Sequence, residues 1–125
     1  MSTHINDFAA GVAVFAAVSP SVLTAAHTGS AVDLVSADGP CFAVQQVGSF
    51  EEGNTWNGRI EQSADGSTGW AAVTGAAFDP VTAGSGTQVI RFARTARYVR
   101  YTATVTGPAP ALSLAVLVGE ARKSF

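Results

Sequence analysis

Apolar and polar residues alternate with period two along most of this chain, the signature of strands that bury one side. The clearest stretch runs from Thr55 to Ser63. Trp56, Gly58, Ile60 and Gln62 fall on one side, and Thr55, Asn57, Arg59, Glu61 and Ser63 on the other. From Tyr98 to Thr106 the pattern returns, with Val99, Tyr101, Ala103 and Val105 set against Tyr98, Arg100, Thr102, Thr104 and Thr106. Leu112, Leu114, Val116 and Val118 alternate with Ser113, Ala115 and Leu117. Cys41 to Val47 reads as a mostly buried strand, and Ser30 to Val35 and Thr87 to Phe92 as shorter ones. Near the start, Phe8, Ala10, Val12 and Val14 alternate with Ala9, Gly11, Ala13 and Phe15, which predicts an N-terminal strand or extended arm over residues 1–18. That stretch is Ala-rich enough to be compatible with helix as well.

Turn chemistry separates these runs. Asp38-Gly39-Pro40, Glu51-Glu52-Gly53-Asn54, the loop from Asp79 to Gly86, and Gly107-Pro108 each interrupt the alternation. Asp65-Gly66 predicts a tight hairpin with positive φ angles, its return strand starting over Trp70 to Val73. About seven or eight antiparallel strands with little helix predict an all-β sandwich, jelly-roll-like, although spacing alone does not choose between sandwich strand orders. No repeat of 20 to 50 residues is visible, which argues against solenoids and propellers.

A chain of 125 residues holds one such domain, assigned to residues 19–125. Hydrophobic residues make up 47% and charged residues 13%, against about a quarter charged in an ordinary soluble domain. So few charges suggest that part of the surface faces neighbours rather than water, as in a homo-oligomer. The charges are also unevenly distributed. Residues 1–58 hold five acids and no Lys or Arg, a net −5, while residues 59–125 carry +3. A net charge of −2 provides no broad positive field for nucleic acid. Cys41 is the sole cysteine, so an intrachain disulfide is ruled out, and its apolar setting predicts a buried, inert thiol. The apolar stretch from Phe8 to Val18 falls short of the roughly 20 residues of a membrane helix, and no basic leader precedes it. The expectation is a protein made inside the cell, with no membrane partner.

Catalytic signatures are missing: no G-x-S-x-G, H-E-x-x-H, phosphate-binding glycine loop or paired cysteines for zinc. His4 and His27 read as loop histidines. Glu51 with Glu52, and Glu61 with Asp65, read as turn and surface acids rather than a paired acid and base. The expectation is no enzyme, no cofactor and no metal. Arg91, Arg94, Arg97 and Arg100 recur every three residues; on strands flanking a turn they would form a loose patch at one end. There they would pair with acids such as Glu61 and Asp65, or meet an acidic face on another protein.

Three segments carry a resemblance. They are Phe42 to Gly48 (FAVQQVG), Trp56 to Trp70 (WNGRIEQSADGSTGW) and Ala96 to Gly107 (ARYVRYTATVTG). Together they resemble small proteins encoded among the head-morphogenesis genes of tailed bacteriophages and prophages, over roughly residues 30–120. The pattern is an E-S-x-D-G-x-x-W hairpin followed by R-Y-V-R and T-V-T-G. This chain departs from it where Gln62 separates Glu61 from Ser63 and where Gly69 precedes Trp70. The resemblance implies a capsid-associated cement or decoration protein on the exterior of the virion, made in the host cytoplasm, with the major capsid protein as partner and a trimer as its assembly. The hairpin and Arg97-Tyr98-Val99-Arg100 also resemble discoidin-type carbohydrate- or lipid-binding modules, although the closing cysteine pair of those modules is missing here.

Two sets of site residues follow. For contact with a neighbouring copy or the capsid, the candidates are Phe8, Val12, Val14 and Phe15 on the arm, with Arg94 and Arg97 as polar contacts. For a glycan, they are Trp56, Trp70 and Tyr98, each of which also fits a core or packing role.

Overall fold

A computed structural model describes residues 12–34 and 40–121. Its strands are β1 (Val12–Leu23), β2 (His27–Thr28), β3 (Val32–Asp33), β4 (Cys41–Phe50), β5 (Thr55–Ser63), β6 (Ala71–Ala77), β7 (Gly86–Phe92), β8 (Tyr98–Thr106) and β9 (Leu112–Ala121). They form two antiparallel sheets. Sheet A has the order β1-β9-β4-β7, and sheet B the order β2-β8-β5-β6, with β3 also on β8. Because β2 places His27 opposite Ala103 and β3 places Asp33 opposite Tyr98, the two are one interrupted strand lying along β8. Each sheet then has four strands in the neighbour order of a jelly roll. The all-β sandwich read from the alternation is present, and long-range pairings decide the strand order that spacing left open.

The inward sides are those the period-two pattern selects except at the end of β5, where Glu61 and Ser63, read as outward, are buried and Gln62 is half-buried. β5 and β8 pair without a slip from Thr55 opposite Thr106 to Ser63 opposite Tyr98, so Trp56, Ile60, Val99, Tyr101 and Ala103 all enter the interior. From sheet A come Ala43, Gln45 and Val47 on β4 and Leu112, Leu114, Val116 and Val118 on β9. A polar thread crosses between the sheets: Trp56 Nε1 donates to the Tyr101 hydroxyl at 2.7 Å, which donates to Gln45 Oε1 at 2.5 Å. Burial raises the Tyr101 pKa above its ordinary value, against a smaller lowering by Trp56. Gly58 makes room for this thread, since a Cβ there would stand 2.1 Å from the Tyr101 hydroxyl oxygen.

Local departures from the sequence reading have physical causes. β1 continues past residue 18 to Leu23 and carries Pro20, which an edge strand accepts because one side of its backbone needs no ladder bond. The strand expected from Ser30 to Val35 is reduced to Val32–Asp33, with Val35 outside the described residues. Residues 64–70 form a longer connection than a tight hairpin, and positive φ falls on Gly66 and Gly69 rather than on Asp65. Asp65 instead caps the turn: its carboxylate accepts from the Thr68 amide at 2.8 Å, the Ser67 amide at 2.9 Å and the Thr68 hydroxyl at 2.8 Å. These bonds, the backbone ones first, hold its carboxyl well below the usual carboxylate range.

Candidate functional site

Most charges near the arginine-rich segment are committed inside the chain. Arg94 forms a two-pronged pair with Glu120, Nε to Oε2 at 2.6 Å and Nη2 to Oε1 at 2.9 Å, and also donates to the carbonyls of Ala96 and Leu34. Glu120 is 1% exposed and also accepts from the Cys41 thiol at 3.0 Å. Burial, then the Glu120 carboxylate, pushes the Cys41 thiol up to about 12, so the inert thiol expected at this position has a physical basis. The Arg94 pKa rises, chiefly through its bonds to Glu120. Arg94 therefore ties the end of β9 to the β7–β8 connection and is not poised for an outside contact, which corrects the reading of it as a docking residue.

The outer side of sheet B is polar and self-satisfied. Across the β5–β8 pairing Arg100 reaches Glu61 at 2.8 Å, and Arg59 reaches the same carboxylate at 2.9 Å. Burial would raise the Glu61 pKa, but the two guanidinium groups outweigh it and hold the carboxyl below its ordinary range. Arg100 also lies 4.2 Å over the Trp70 ring. Arg97 pairs with Asp33 at 2.7 Å, and its guanidinium lies 5.1 Å from the Tyr98 ring. Thr28 and Thr102 share a hydroxyl bond at 3.0 Å. The four arginines expected as a patch thus go to separate places: Arg94 inward, Arg97 to Asp33, Arg100 to Glu61, and Arg91 to the other sheet.

Of the glycan candidates, Trp56 is fully buried and its indole N–H is taken, so its assignment to a ligand is corrected to a core role. Trp70 and Tyr98 remain half-buried at the surface. Gly66 packs under the Tyr98 ring, since a Cβ there would come within 3.0 Å of it.

The outer side of sheet A differs in kind. Strand register aligns two rows across all four strands. Val14, Gly119, Phe42 and Arg91 make one, and Ala16, Leu117, Val44 and Val89 the other. Val14 is 48% exposed, Leu117 42% and Val89 61%, and Val22 further along β1 reaches 73%. Phe42 lies flat across Gly119, where any Cβ would collide with its ring. Among the described residues Arg91 is the one charge in these rows. Contiguous exposed apolar side chains on a sheet make this a candidate interaction surface.

The N-terminal candidates divide at this surface. Val14 belongs to it. Phe15, opposite Val118, is half-buried and packs against the core. Val12 sits in the β1–β9 ladder opposite Ala121, and Phe8 lies outside the described residues. Sequence reasoning missed Phe42, Val44, Val89 and Leu117. Leu117 was the legible signal, an apolar residue on the side of β9 where alternation called for a polar one. Two shallow depressions, of about 230 Å³ beside Pro20, Gln46 and Ser113 and about 250 Å³ beside Val47, Val81 and Gln88, are smaller than the roughly 300–1,000 Å³ of small-molecule sites.

No family model and no curated protein matches the chain. Among solved structures it is similar to a chain from the structure of infectious bursal disease virus, Gx strain, with a TM-score of 0.51 and 12% identity. The match covers 91% of this chain and 33% of that one, so this chain spans about a third of the other's length. At that identity the likeness is one of fold: the two share a β-sandwich architecture.

Proposed function

We propose that this chain is a viral structural protein, a cement or decoration protein that sits on the exterior of a phage head and stabilises it through protein–protein contacts. The observation that carries the reading is the pair of charge-poor apolar rows on the outer side of sheet A, bordered by the polar row of Gln46 and Thr87, on a jelly-roll sandwich. Support also comes from the fold shared with a chain of a virus structure and from the resemblance of its hairpin and Arg97–Arg100 segment to phage head proteins. The major capsid protein is the partner, and the chain self-associates, as a trimer in the simplest arrangement at three-fold junctions. A protein that binds only the assembled shell shifts the equilibrium toward that shell by mass action, and no chemical step is needed. The chain is made in the host cytoplasm and reaches the virion by assembly.

Imaging of purified particles, with and without the chain, tests this. The expected result is regularly spaced extra density on the outside of the shell and a higher temperature of head rupture when the chain is present. Particles that lack the chain, or that carry it only inside, would overturn the reading. A glycan site has one specific observation in its favour, the half-buried Trp70 ring held against Arg100. Quenching of intrinsic fluorescence by a glycan panel, lost in Trp70→Ala, would support that second reading; no response across the panel would remove it.

A further inference from the structure

The sheet edges of this domain are not equally protected. On β1 the ladder slips twice, between Ala16 and Val18 and between Val18 and Ser21, and Pro20 interrupts it. On β6 a bulge falls between the partners of Arg59 and Glu61, with Gly75 at φ 76°. β2 and β3 are two residues each. Slips, prolines, bulges, shortness and charged side chains are the devices that keep a sheet edge from recruiting another strand. β7 has no slip, proline or bulge; its one such device is the charge of Arg91, and its Gln88 side chain is bonded to the backbone of Asp79. Its seven residues keep an unbroken register with β4, from Phe92 opposite Cys41 to Gly86 opposite Val47. Among the described residues, no strand pairs with its other side and no backbone hydrogen bond reaches it.

We infer that β7 is a two-fold contact between copies of this chain, each β7 pairing antiparallel with the other and joining two four-stranded sheets into one of eight. A second copy fits because an antiparallel strand is its own complement under a two-fold axis. A register centred on Val89 brings that 61%-exposed side chain against its counterpart. The same register sets each Arg91 opposite Thr87 of the other copy and keeps the two arginines apart, since like charges placed directly opposite destabilise a pair. The apolar row through Leu117, Val44 and Val89 then continues across the join.

Size decides where this contact operates. Seven residues at about 3.4 Å each make an edge about 24 Å long, and with about 10 Å of sheet thickness the footprint is about 240 Å². A stable free complex buries about 800 Å² on each partner. The contact is therefore weak between free copies and becomes effective when copies already stand side by side, as on the shell of the proposed function. The inference rests on that reading for its setting and not for its geometry.

The test is covalent trapping in the isolated full-length protein. Directly opposed residues of an antiparallel pair have Cα atoms about 4.5–5.5 Å apart, within the span of a disulfide. In Val89→Cys, mild oxidation with oxidised glutathione is expected to give a covalent dimer at least tenfold faster than in Val22→Cys. Val22 lies on the slipped edge of the same sheet and is more exposed, at 73%, so random collision would favour it. Cys41, 2% exposed, does not compete. Thr87→Glu added to Val89→Cys should speed trapping by meeting Arg91, and Thr87→Arg should slow it several-fold. Equal rates at positions 89 and 22, or trapping at 89 indifferent to the charge at 87, overturn the inference. Since no particles are present, that failure leaves head binding untouched, and a failure of head binding leaves the trapping result standing.

Discussion

The two outer sides of this sandwich are both antiparallel sheet, yet one is closed and the other open. On sheet B, Arg59, Glu61, Arg100 and Trp70 satisfy one another, Arg97 holds Asp33, and Thr28 holds Thr102. On sheet A, Val14, Ala16, Leu117, Val44 and Val89 have no polar valence to satisfy and stand exposed or half-exposed around Phe42. A polar surface that pairs its own groups loses nothing by facing water. An apolar one gains by being covered, at about 25 cal/mol per Å² removed from water. Under the proposed function the contrast makes sheet A the side a partner would take, and it can be broken in three ways, from the largest expected effect to the smallest.

Largest is the tie that makes the two sides parts of one body. Arg94, from the connection that leads into β8 of sheet B, grips Glu120 at the end of β9 in sheet A, and Glu120 is 1% exposed. Arg94→Met strands a buried carboxylate and is expected to lower stability in urea by about 3–5 kcal/mol. Adding Glu120→Leu should recover much of that loss, because a buried pair replaced by apolar groups of similar volume is often nearly neutral. A loss below about 1 kcal/mol for the single change would mean that this pair does not hold the sheets together.

That tie was the least legible part of the sequence. Arg94 lies within a three-residue rhythm of arginines, and nothing local separates it from Arg91 or Arg97. Only the approach of β9 to the β7–β8 connection, 26 residues away in the chain, turns it inward. The strands around Trp56, Val99 and Leu112 were readable because burial on one side imposes a period of two, and period is local. The open side of sheet A was half readable. Leu117 is apolar where alternation calls for a polar residue, but Phe42 and Val44 merge into a strand read as mostly buried, and only the β1-β9-β4-β7 order places all three in adjoining rows with Val14 and Val89. Asp65 was legible as a turn residue, whereas its bonding pattern depended on Thr68 closing back onto it.

Next in size is the closed network on sheet B. Glu61 has a lowered pKa when folded, so its pairing contributes stability that is present above the ordinary carboxylate pKa of about 4.3 and is lost as the pH falls through the folded value. Glu61→Gln should cost about 1 kcal/mol at pH 7, the scale of partly exposed pairs. It should also flatten the loss of stability on acidification below about pH 5. Urea unfolding at a series of pH values measures both. A variant whose acid limb is as steep as that of the parent chain would show that the network does not close in solution, and sheet B would then have free charges to offer a partner.

Smallest in stability, and most direct for the comparison, is one lysine on each outer side. Leu117 is 42% exposed and Thr104 is exposed, so Leu117→Lys and Thr104→Lys should each change stability by no more than about 0.5 kcal/mol. Their effects on binding should differ. If sheet A meets the shell, a lysine at 117 must be desolvated on docking, and co-sedimentation with heads should fall at least tenfold. A lysine at 104 stays in water in both states, so its binding should be unchanged. The reverse result, binding lost with Thr104→Lys and kept with Leu117→Lys, would move the docking surface to sheet B. Its paired arginines would then have to break from Glu61 and Asp33 to engage a partner, and binding would weaken with added salt, which a contact through Leu117 and Val14 would resist.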